Sequence, residues 1–343
     1  MNSQPPPVTR SLLSDSNLHD WWQYQWYQTP VPNAGLLLLE TVFRQAVGLR
    51  RQAYRNGLRK RHRLPVPVVV VGNLTVGGVG KTPLVIWLAG ELSRRGLKPG
   101  IVSRGYGGNR THQPLAVGPD SNPADCGDEP VLIARRTGCP VVVARQRVAA
   151  ARYLLATTDC NVLIADDGLQ HYALERDVEI AVIDGLRRFG NGHCLPAGPL
   201  REPPERLDQV DSIIYSGTGP DGASVMVLEG EVAINLVKPD ISRPLADFQA
   251  QPLYAMAGIG HPSRFFSYLE SRGLQPEARI YPDHHVYTQD DLPGPSNRPL
   301  LMTEKDAVKC ARFADSDCWY VPVEAKLPPD TADSLCQLII GKL

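Results

Sequence analysis

The sequence predicts an α/β fold with a doubly wound, mostly parallel sheet and, after it, a second and smaller α/β domain. Apolar, strand-like runs alternate with helical stretches up to about Ser216, as expected for parallel strands joined by crossover helices. A glycine-rich turn, Gly77 to Gly80, follows the first of these runs. A second alternation of strands and helices begins at about Gln251. These three observations together predict two α/β domains.

The strands of the first domain are predicted from short β-branched or apolar runs, which a parallel sheet buries on both faces. The turn after the first run leads into a helix over Leu84 to Leu92, with Pro83 near its first turn, where proline is tolerated. The predicted strands are, in chain order, VVVV, GIVS, PVVVA, NVLIA, EIAVID and SIIYS.

A connector and the second domain are predicted from a change of pattern after Ser216. SVMVLEG and EVAINLVK are typical of two strands that pair as a β-hairpin. The second domain then follows with LYAMAGIG, PSRFFSYLESRGL, LLMTEKD, WYVPVE and a final helix, DSLCQLIIGKL. The predicted divisions are an aromatic and basic N-terminal segment at 1–64, the glycine-loop domain at 65–222, the connector at 223–247 and the smaller domain at 248–343.

The composition excludes several classes of protein and indicates no particular partner. The chain has 36 Lys and Arg residues and 36 Asp and Glu residues, so its net charge is zero. Its seven cysteines form no CxxC pair, which argues against a disulfide scaffold or zinc ribbon and fits a reducing cytoplasm. No apolar run approaches the roughly 20 residues that cross a bilayer, and the start lacks the apolar core of a signal peptide. We therefore expect a protein that is neither secreted nor membrane-spanning.

The stretch Val68 to Pro83, VVVVGNLTVGGVGKTP, has the form of a phosphate-binding loop, or P-loop. A phosphate cradle needs several backbone N–H groups aimed at one point, and the required conformations are open mainly to glycine. Gly77, Gly78 and Gly80 supply them around Val79, and the following helix adds the partial positive charge of its N-terminus.

The next two residues complete the pattern. Lys81 is expected to reach the β- and γ-phosphates, and the Thr82 hydroxyl to ligate Mg²⁺. The usual pattern has a glycine where this chain has Thr75, which weakens the match but leaves the chemistry intact. The alternative is a strand-to-helix turn without a ligand.

A second half of a nucleotide site is predicted at CNVLIADDGLQH, Cys160 to His171. The apolar run Val162 to Ala165 is followed by Asp166 and Asp167, and two carboxylates at a strand end can reach Mg²⁺ directly or through water. Alone the pattern is weak, because apolar strands often end in Asp. Together with the glycine loop it predicts a nucleotide site that uses magnesium.

Other polar clusters are each more typical of a solvated loop than of a site. Metal binding by His284 and His285 is disfavoured, because adjacent side chains diverge and no HExxH or CxxC spacing accompanies them. The clusters are SRGYGG (103–108), GDEP (127–130) with Asp128 and Glu129 at a predicted helix start, LPAGPLREP (195–203), YPDHHVYT (281–288) and LLMTEKDAVK (300–309).

The N-terminal segment joins an aromatic cluster, WWQYQWYQ at Trp21 to Gln28, to a predicted basic helix within Gly35 to Arg63. From the residues alone, a membrane-interface helix and a helix packed on the domain are equally supported. Nucleic-acid binding is a third interpretation, but no recognition motif accompanies the arginines. On a helix, one face carries Leu39, Val42, Phe43, Ala46 and Ala53, the opposite face carries Arg44, Arg51, Arg55 and Arg59, and Arg50 breaks the pattern.

Taken together and in this order, these blocks resemble the tetraacyldisaccharide 4'-kinases of lipid A biosynthesis. The resemblance covers most of the chain, and Thr75 in place of the first glycine is how the loop looks in that family. The blocks that carry it are the aromatic and arginine-rich N-terminus, GNLTVGGVGKTP, SRGYGG, GDEP, DDGLQH, PAGPLREP, AGIGHPSRFF, DHH and TEKD.

The resemblance implies an ATP- and Mg²⁺-dependent kinase that transfers the γ-phosphate of ATP to the 4'-hydroxyl of a tetraacylated glucosamine disaccharide 1-phosphate. It implies a peripheral enzyme on the cytoplasmic face of the inner membrane of a Gram-negative bacterium, with no nucleic-acid partner, and we expect a monomer. Because acyl chains anchor such a substrate, the resemblance favours a membrane-interface role for the N-terminal segment.

The resemblance also implies roles for individual residues. The Asp of the GDE motif is the family's proposed base, paired with a histidine of the second domain, which matches Asp128 with His284; the choice of His284 over His285 stays open. Arg201 and Glu202 are expected near nucleotide or substrate without a defined role, and Glu304 to Asp306 form either part of the site or a structural ion pair. The expected nucleotide-binding residues are Gly77, Gly78, Val79, Gly80, Lys81, Thr82, Asp167, Gln170 and His171, Lys81 being also catalytic, and the expected magnesium ligands are Thr82 and Asp166.

Two other classes share part of the loop. Membrane-recruited partitioning ATPases, which act as switches, carry a signature lysine before the paired glycines, where this chain has Val76, and they lack PAGPLRE and DHH segments. A GTPase needs an NKxD or TKxD element, and in TEKD the lysine is one place late. The kinase interpretation therefore explains more of the sequence.

Overall fold

The computed structural model describes residues 15–293 and 298–343 of the chain, so residues 1–14 of the predicted N-terminal segment lie outside it. The helices are α1 (Asp15–Tyr27), α2 (Ala34–Arg55), α3 (Lys81–Arg94), α4 (Pro123–Cys126), α5 (Asp128–Thr137), α6 (Arg147–Thr157), α7 (Pro262–Ser271), α8 (Glu304–Cys310) and α9 (Pro329–Ile340). The strands are β1 (Val68–Gly72), β2 (Pro99–Ser103), β3 (Leu115–Val117), β4 (Val141–Val143), β5 (Val162–Asp166), β6 (Val178–Asp184), β7 (Ser212–Ser216), β8 (Val225–Glu229), β9 (Val232–Asn235), β10 (Ser242–Pro244), β11 (Tyr254–Ala257), β12 (Glu277–Ile280), β13 (Leu300–Thr303), β14 (Cys318–Val321) and β15 (Glu324–Lys326).

The larger sheet has nine strands in the order β15-β8-β7-β6-β1-β5-β2-β4-β3. From β8 to β4 every neighbouring pair is parallel, and only the edge strands β15 and β3 are antiparallel to their neighbours. All six predicted strands of the first domain are present. The predicted class, a doubly wound and mostly parallel α/β sheet, is confirmed.

The smaller sheet has six strands in the order β10-β9-β14-β13-β11-β12. Strands β14, β13, β11 and β12 run parallel, while β9 and β10 are added antiparallel at one edge. Helices α7 and α8 connect these parallel strands, as the alternating pattern after Gln251 predicted. The second α/β unit is therefore present as well.

The predicted pairing of the connector strands is wrong. Strand β8 pairs with β7 and β15 of the larger sheet, whereas β9 pairs with β10 and β14 of the smaller one. Only Gly230 and Glu231 separate them. A Cβ on Gly230 would lie 2.3 Å from the carbonyl oxygen of Pro322, so the chain crosses between the sheets where another backbone segment passes closely.

The predicted division of the chain into four parts stays a prediction. The two sheets share the C-terminal residues between them. Strand β15 joins the larger sheet, and Leu335 and Ile339 of α9 belong to that sheet's core. The last strand and the last helix of the chain therefore belong to the first unit, although they follow the second unit in the sequence.

The larger sheet is buried on both faces, as its valine-rich strands predict. Val69 and Val71 of β1 pack in one core cluster with Leu84 and Leu88 of α3. Val68 and Val70 point the other way and pack in a second cluster, which includes residues of α6. Each fully buried valine or leucine stabilises the fold by roughly 1.5 to 3 kcal/mol. The strands therefore have well-fixed carboxyl ends, from which the polar loops project.

Among the residues that the structure describes, no helix combines the length and apolar character needed to cross a bilayer.

Candidate active site

The glycine loop joins the end of β1 to the start of α3. Gly77 has φ 103° and Gly80 has φ 94°, a region that favours glycine. A Cβ on Gly80 would also lie 2.9 Å from Ser216 Oγ, so space as well as backbone requires glycine there. The Val79 side chain is buried in the core and fixes the middle of the loop to the protein. Backbone N–H groups at the start of a 14-residue helix form a ready anion site.

Lys81, the first residue of α3, is held by two side chains. Its Nζ donates to Asn73 Oδ1 at 3.0 Å and lies 3.4 Å from Asp167 Oδ1. Asn73 is fully buried, and its Nδ2 donates to the Thr75 carbonyl oxygen at 2.8 Å. One buried amide therefore fixes both the lysine and the loop backbone. Asn73 was not among the predicted site residues, although it is the first polar residue after β1.

Thr75, which stands where the usual P-loop pattern has a glycine, contacts the Pro- and Gly-rich segment at 195–203. Thr75 is buried and forms an antiparallel β-bridge with Leu200. Next to it, the Val76 N–H donates to the Pro199 carbonyl oxygen at 2.8 Å. A residue in a β-bridge can carry a side chain. This is a physical reason why position 75 can be threonine, where the usual P-loop pattern has glycine.

Asp166 ends β5 and Asp167 follows it, beside Lys81 at the end of the glycine loop. Arg201 Nη1 donates to both carboxylate oxygens of Asp167, at 3.1 and 3.0 Å. Arg147 Nη2 donates to the carbonyl oxygen of the same residue at 2.6 Å. Burial alone would raise the pKa of Asp167, but the charges of Lys81, Arg201 and Arg147 hold it well below its usual range. Asp167 is therefore an ionised partner of Lys81.

Asp166 has the opposite electrostatic character. It is 1% exposed, and its Oδ2 accepts from Ser103 Oγ at 3.2 Å, while its Oδ1 has no partner among the described residues. Burial, then the charges of Glu129 and Asp167, raise its pKa to about 7. A buried carboxylate oxygen without a partner fits a hard cation, which would relieve this electrostatic cost.

These residues fit the predicted magnesium site. Mg²⁺ is typically held by one or two carboxylates, phosphate oxygens and water. The described parts of the chain contain no group of three or more His, Cys, Asp or Glu side chains arranged for a metal. Asp166 at the end of β5 and Thr82 on the first turn of α3 are the residues that would hold the ion.

Gln170 and Glu202 brace the loops around this site. Gln170 Nε2 donates both to the Asn73 carbonyl oxygen and to Glu202 Oε2, each at 3.1 Å. The Tyr172 hydroxyl donates to Glu202 Oε1, and Glu202 is 1% exposed. Both residues therefore contact the structure that holds the glycine loop.

His171, the residue after Gln170, is neutral at pH 7. Burial, followed by the charges of Arg147 and Arg176, lowers its pKa to about 4. Its Nε2 is buried without a partner within the described part of the chain.

Asp128 and His284 meet across the two sheets. Asp128 is the first residue of α5 and is buried, and its Oδ2 lies 3.4 Å from His284 Nδ1. Lys309 Nζ and Lys305 Nζ lie 3.8 and 4.0 Å from the same oxygen. Burial opposes ionisation, but Lys305 and His284 together hold the pKa of Asp128 well below its usual range. In turn, although burial opposes it, the bond to Asp128 raises the pKa of His284.

His284 and His285 point to different surroundings. His284 has φ 61° and packs its ring 4.7 Å from that of Tyr106, beside Asp128. His285 Nε2 lies 3.3 Å from Asp291 Oδ2, and its ring stacks on Tyr281. Only His284 therefore faces the GDE motif.

The TEKD segment contains both a site residue and structural residues. Lys305 Nζ lies 3.0 Å from Glu129 Oε1 and 3.2 Å from Asp283 Oδ1, so it bridges carboxylates of the two units. Glu304 instead pairs with Arg136 at 2.9 Å.

Asp306, the third charged residue of this segment, is fully buried and structural. It accepts from Thr303 Oγ1 at 2.6 Å and from the Gly258 N–H at 3.0 Å. Its Oδ1 lies 3.0 Å from Lys309 Nζ, which links it to Asp128. The sequence left Lys305 open between a site residue and a structural ion pair, and Lys309 was not singled out, because only the packing of α8 against α5 brings them to the GDE motif.

The second unit also touches the glycine loop directly. A Cβ on Gly260 would lie 2.5 Å from the Gly78 nitrogen. Beside it, His261 Nδ1 lies 3.3 Å from Asp184 Oδ2 at the end of β6. The GIGHP turn therefore closes over the loop.

The arrangement brings a phosphate cradle and a carboxylate–imidazole pair to one cleft. Glu129, which adjoins Asp128, is close enough to Asp166 to raise its pKa. The cleft could therefore hold a bound polyphosphate and a hydroxyl close to a proton acceptor, which is what phosphoryl transfer requires.

Comparison with known protein families gives one match over nearly the whole chain. The profile of the family described as tetraacyldisaccharide-1-P 4'-kinase matches residues 33–340. A Nitrosococcus oceani protein named tetraacyldisaccharide 4'-kinase is 51% identical over 314 residues, which are 92% of this chain and 93% of that protein. An Aeromonas hydrophila protein of the same name is 52% identical over 296 residues, 84% of this chain and 86% of that protein.

A solved structure agrees with the sequence matches. It is LpxK from Aquifex aeolicus, described as the "apo" form in complex with ATP. It superposes with a TM-score of 0.75 at 27% identity and covers 90% of this chain and 98% of that one.

Proposed function

The chain belongs to the tetraacyldisaccharide-1-P 4'-kinase family, and on that premise we propose how its residues transfer the γ-phosphate of ATP to the 4'-hydroxyl of a tetraacylated disaccharide 1-phosphate. It is a kinase of lipid A biosynthesis. The observation that supports the proposal best is the contact between Asp128 and His284 beside the glycine loop.

The glycine loop and Lys81 bind the phosphates. Lys81 is held by Asn73 and Asp167 at the start of α3, so its ammonium group is oriented before a ligand arrives. Its charge and the loop N–H groups stabilise the negative charge on the transferred phosphoryl group. Gln170 and Glu202 hold the loop in place through Asn73.

Asp128 accepts the proton of the attacking hydroxyl. Its low pKa keeps it ionised at neutral pH, so it can accept a hydrogen bond from the 4'-hydroxyl. As the sugar oxygen forms its bond to the γ-phosphorus, the bond from that phosphorus to the β–γ bridging oxygen breaks, and the electron pair leaves with ADP. The proton of the hydroxyl passes to the Asp128 carboxylate, which His284 orients and which Lys305 and Lys309 hold in place.

Asp166 and Thr82 are the proposed ligands of Mg²⁺. The open Oδ1 of Asp166 supports this assignment. When bound, the ion neutralises charge on the β- and γ-phosphates. Ser103 orients Asp166 by donating to its other oxygen at 3.2 Å.

Helix α2 is proposed to lie on the membrane surface, where the acylated substrate resides. Leu39, Val42 and Leu49 are 55%, 59% and 68% exposed. Between Arg44 and Arg63 the chain has eight basic residues and no acidic one, which suits anionic lipid headgroups. Phe43, by contrast, packs on the core of the larger sheet and attaches the helix to the protein.

The setting that we propose is a peripheral monomer on the cytoplasmic face of a bacterial inner membrane. The exposed apolar residues of α2 and the nature of the substrate support it. No part of the proposed mechanism requires a second subunit or a nucleic acid.

The decisive experiment is transfer of labelled γ-phosphate from ATP and Mg²⁺ to tetraacyldisaccharide 1-phosphate in detergent micelles. We expect label in the lipid with the unaltered protein, and a loss of at least about 100-fold with Asp128→Ala or Lys81→Ala. Asp120→Ala, at an exposed loop position, serves as the control. Label released only as free phosphate would contradict the lipid kinase and favour an ATPase switch.

A further inference from the structure

One buried carboxylate is among the contacts that join helix α2 to the rest of the protein. Over the whole length of this helix, which the structure describes, Glu40 alone is buried, at 5% exposure. Its Oε2 lies 2.7 Å from His193 Nδ1, and its Oε1 accepts from the Cys194 N–H at 2.8 Å. Both partners begin the segment 193–202. A buried carboxylate with two such partners fixes the relative position of the helix and the segment.

Segment 193–202 is a tight loop with its own internal bonds. The Leu195 N–H donates to the Leu200 carbonyl oxygen at 2.9 Å, and the Gly198 N–H donates to the Cys194 carbonyl oxygen at 2.9 Å. A Cβ on Gly198 would lie 2.3 Å from the His193 carbonyl oxygen. The segment therefore moves as a unit rather than as a flexible linker.

The C-terminal end of segment 193–202 contacts the glycine loop. Leu200 forms a β-bridge with Thr75, and the Arg201 N–H donates to the Leu74 carbonyl oxygen at 2.6 Å. The Arg201 side chain then binds Asp167, the partner of Lys81. A continuous set of short contacts thus runs from the carboxylate of α2 to the phosphate-binding lysine.

We propose that Glu40 is a positioning residue for the glycine loop: through segment 193–202 it couples helix α2 to the nucleotide site. The Glu40 side chain contacts His193 and Cys194 and acts through the segment that they begin. The part of this inference that concerns lipid rests on the proposed function of α2. Seating α2 on an anionic lipid surface then favours the loop conformation that binds nucleotide, and nucleotide binding favours membrane binding by the same factor.

The coupling has a physical basis in the exposed face of α2. The exposed leucines and valine of this helix make few contacts with the protein, so the position of the helix rests on Glu40 and on a few other contacts. Phe43 packs on the core of the larger sheet, Arg50 donates to the Gln170 carbonyl oxygen at 3.3 Å, and Arg51 donates to Gln209. A surface that binds the exposed face restricts the motion of the helix. Because Glu40 ties the helix to the segment, the restriction reaches Thr75 and Val76.

The test compares Glu40→Ala and Glu40→Gln with Gln45→Ala, an exposed position of the same helix, as the matched control. Affinity for a fluorescent ATP analogue is measured without lipid and with phosphatidylglycerol vesicles. Hydrogen exchange of the glycine-loop peptide, residues 68–83, is followed in the same samples. Co-sedimentation shows separately whether each variant binds the vesicles.

Without lipid, we expect Glu40→Ala to weaken nucleotide affinity by about fivefold or more and to speed exchange in residues 68–83 but not in β11. Glu40→Gln, whose amide can still bond His193 and Cys194, should restore most of the affinity. Vesicles should tighten nucleotide binding by the unaltered protein and by Gln45→Ala, and should have no effect on that of Glu40→Ala. If Glu40→Ala does not fold, His193→Ala, which removes only one partner, replaces it.

Normal nucleotide affinity and unchanged loop exchange in a folded Glu40→Ala variant would overturn the proposal and leave Glu40 as a simple anchor. A uniform rise of exchange across both sheets would overturn it too, because that outcome indicates general destabilisation. If no variant, nor the unaltered protein, binds vesicles, the proposed membrane role of α2 fails, while the lipid-free comparison still decides whether Glu40 positions the loop.

Discussion

His284 Nδ1 lies 3.4 Å from Asp128 Oδ2, and the two residues come from different sheets. Asp128 begins α5 beside the larger sheet, whereas His284 follows β12 of the smaller one. The pair therefore exists only while the two units are in contact, as they also are at Gly78 and Gly260. With the role in catalysis that we propose for this pair, proton transfer depends on closure of the cleft.

Replacement of the two adjacent histidines is expected to have unequal effects. His284→Gln should lower kcat by about 100-fold, because it removes the partner of Asp128, with little change in nucleotide affinity. His285→Gln should lower it less than about threefold, since this ring pairs with Asp291 instead. Lipid phosphorylation under saturating ATP measures both. Equal losses in the two variants would contradict the assignment of His284.

The same pair predicts a dependence of stability on pH. The pKa of His284 is raised from its ordinary 6.5, so the folded state favours the imidazolium. Its contribution to the free energy of unfolding is fully present below pH 6.5 and is lost as the pH rises through the raised pKa. Asp128 stays ionised throughout this range, because its own pKa is lowered.

Thermal unfolding of the unaltered protein and His284→Gln should therefore show the larger difference in Tm at pH 6 and the smaller one at pH 9. A difference in Tm that grows towards pH 9 would show that His284 is not stabilised as the imidazolium.

The sequence could predict the part of the site that one sheet builds. Lys81 and Asp166 both follow buried strands, and the carboxyl ends of neighbouring parallel strands lie side by side, so local pattern was sufficient. Lys305 and Lys309 could not be found in this way. They follow a strand of the other sheet, and only the packing of α8 against α5 decides which carboxylates they meet.

The incorrect hairpin has a related cause. Alternation along β8 and β9 predicts strands, but the partner of a strand depends on residues far away in the chain. The partners here, β15 and β14, lie about 90 residues further on and are themselves consecutive. Each connector strand therefore pairs antiparallel with a distant strand, and the two do not pair with each other in a hairpin.

Removing the charge of Asp166 and removing that of Asp167 should have opposite effects on the stability of the protein. In the metal-free protein at pH 8, Asp166→Asn should raise the Tm by at least about 2 °C, because it removes a buried charge whose pKa is raised to about 7. The destabilisation that it relieves develops as the pH rises from the ordinary pKa of 3.8 to about 7, and it is fully present above that value. Asp167→Asn should instead lower stability by about 1.5 kcal/mol, since it weakens charged hydrogen bonds to Arg201.

Differential scanning fluorimetry with EDTA, and then with Mg²⁺ and ATP, measures both effects. The ligand should stabilise the unaltered protein more than Asp166→Asn, and activity should fall by at least about 100-fold in that variant. A metal-free Asp166→Asn protein that is less stable than the unaltered one would argue against an unpaired buried charge.

Helix α2 should lose membrane binding when its exposed apolar face is charged. Leu39→Asp is expected to reduce binding to phosphatidylglycerol vesicles by about tenfold, because it removes an apolar contact with the acyl boundary and adds a repelled charge. Val237→Asp, at an exposed apolar position of the smaller unit, should leave binding unchanged. Co-sedimentation at two salt concentrations measures this. Equal binding of Leu39→Asp and the unaltered protein would remove α2 from the interface.

Lys305 should be required for both stability and activity. It lies within 4.0 Å of three carboxylates, those of Asp128, Glu129 and Asp283, and is largely buried. Lys305→Met would leave these charges without their shared cation, which should lower the free energy of unfolding by about 3 kcal/mol. The carboxylates would then repel one another across the cleft, so kcat should fall by at least tenfold as well.

Lys305→Arg keeps the charge and is the matched control, with stability expected within about 1 kcal/mol of that of the unaltered protein. Urea unfolding followed by lipid phosphorylation measures both quantities. Because the lysine joins α5 of one unit to α8 and Asp283 of the other, its loss should also speed hydrogen exchange on both sides of the cleft. A stable and fully active Lys305→Met protein would mean that the three carboxylates are screened by water and that Lys309 alone positions Asp128.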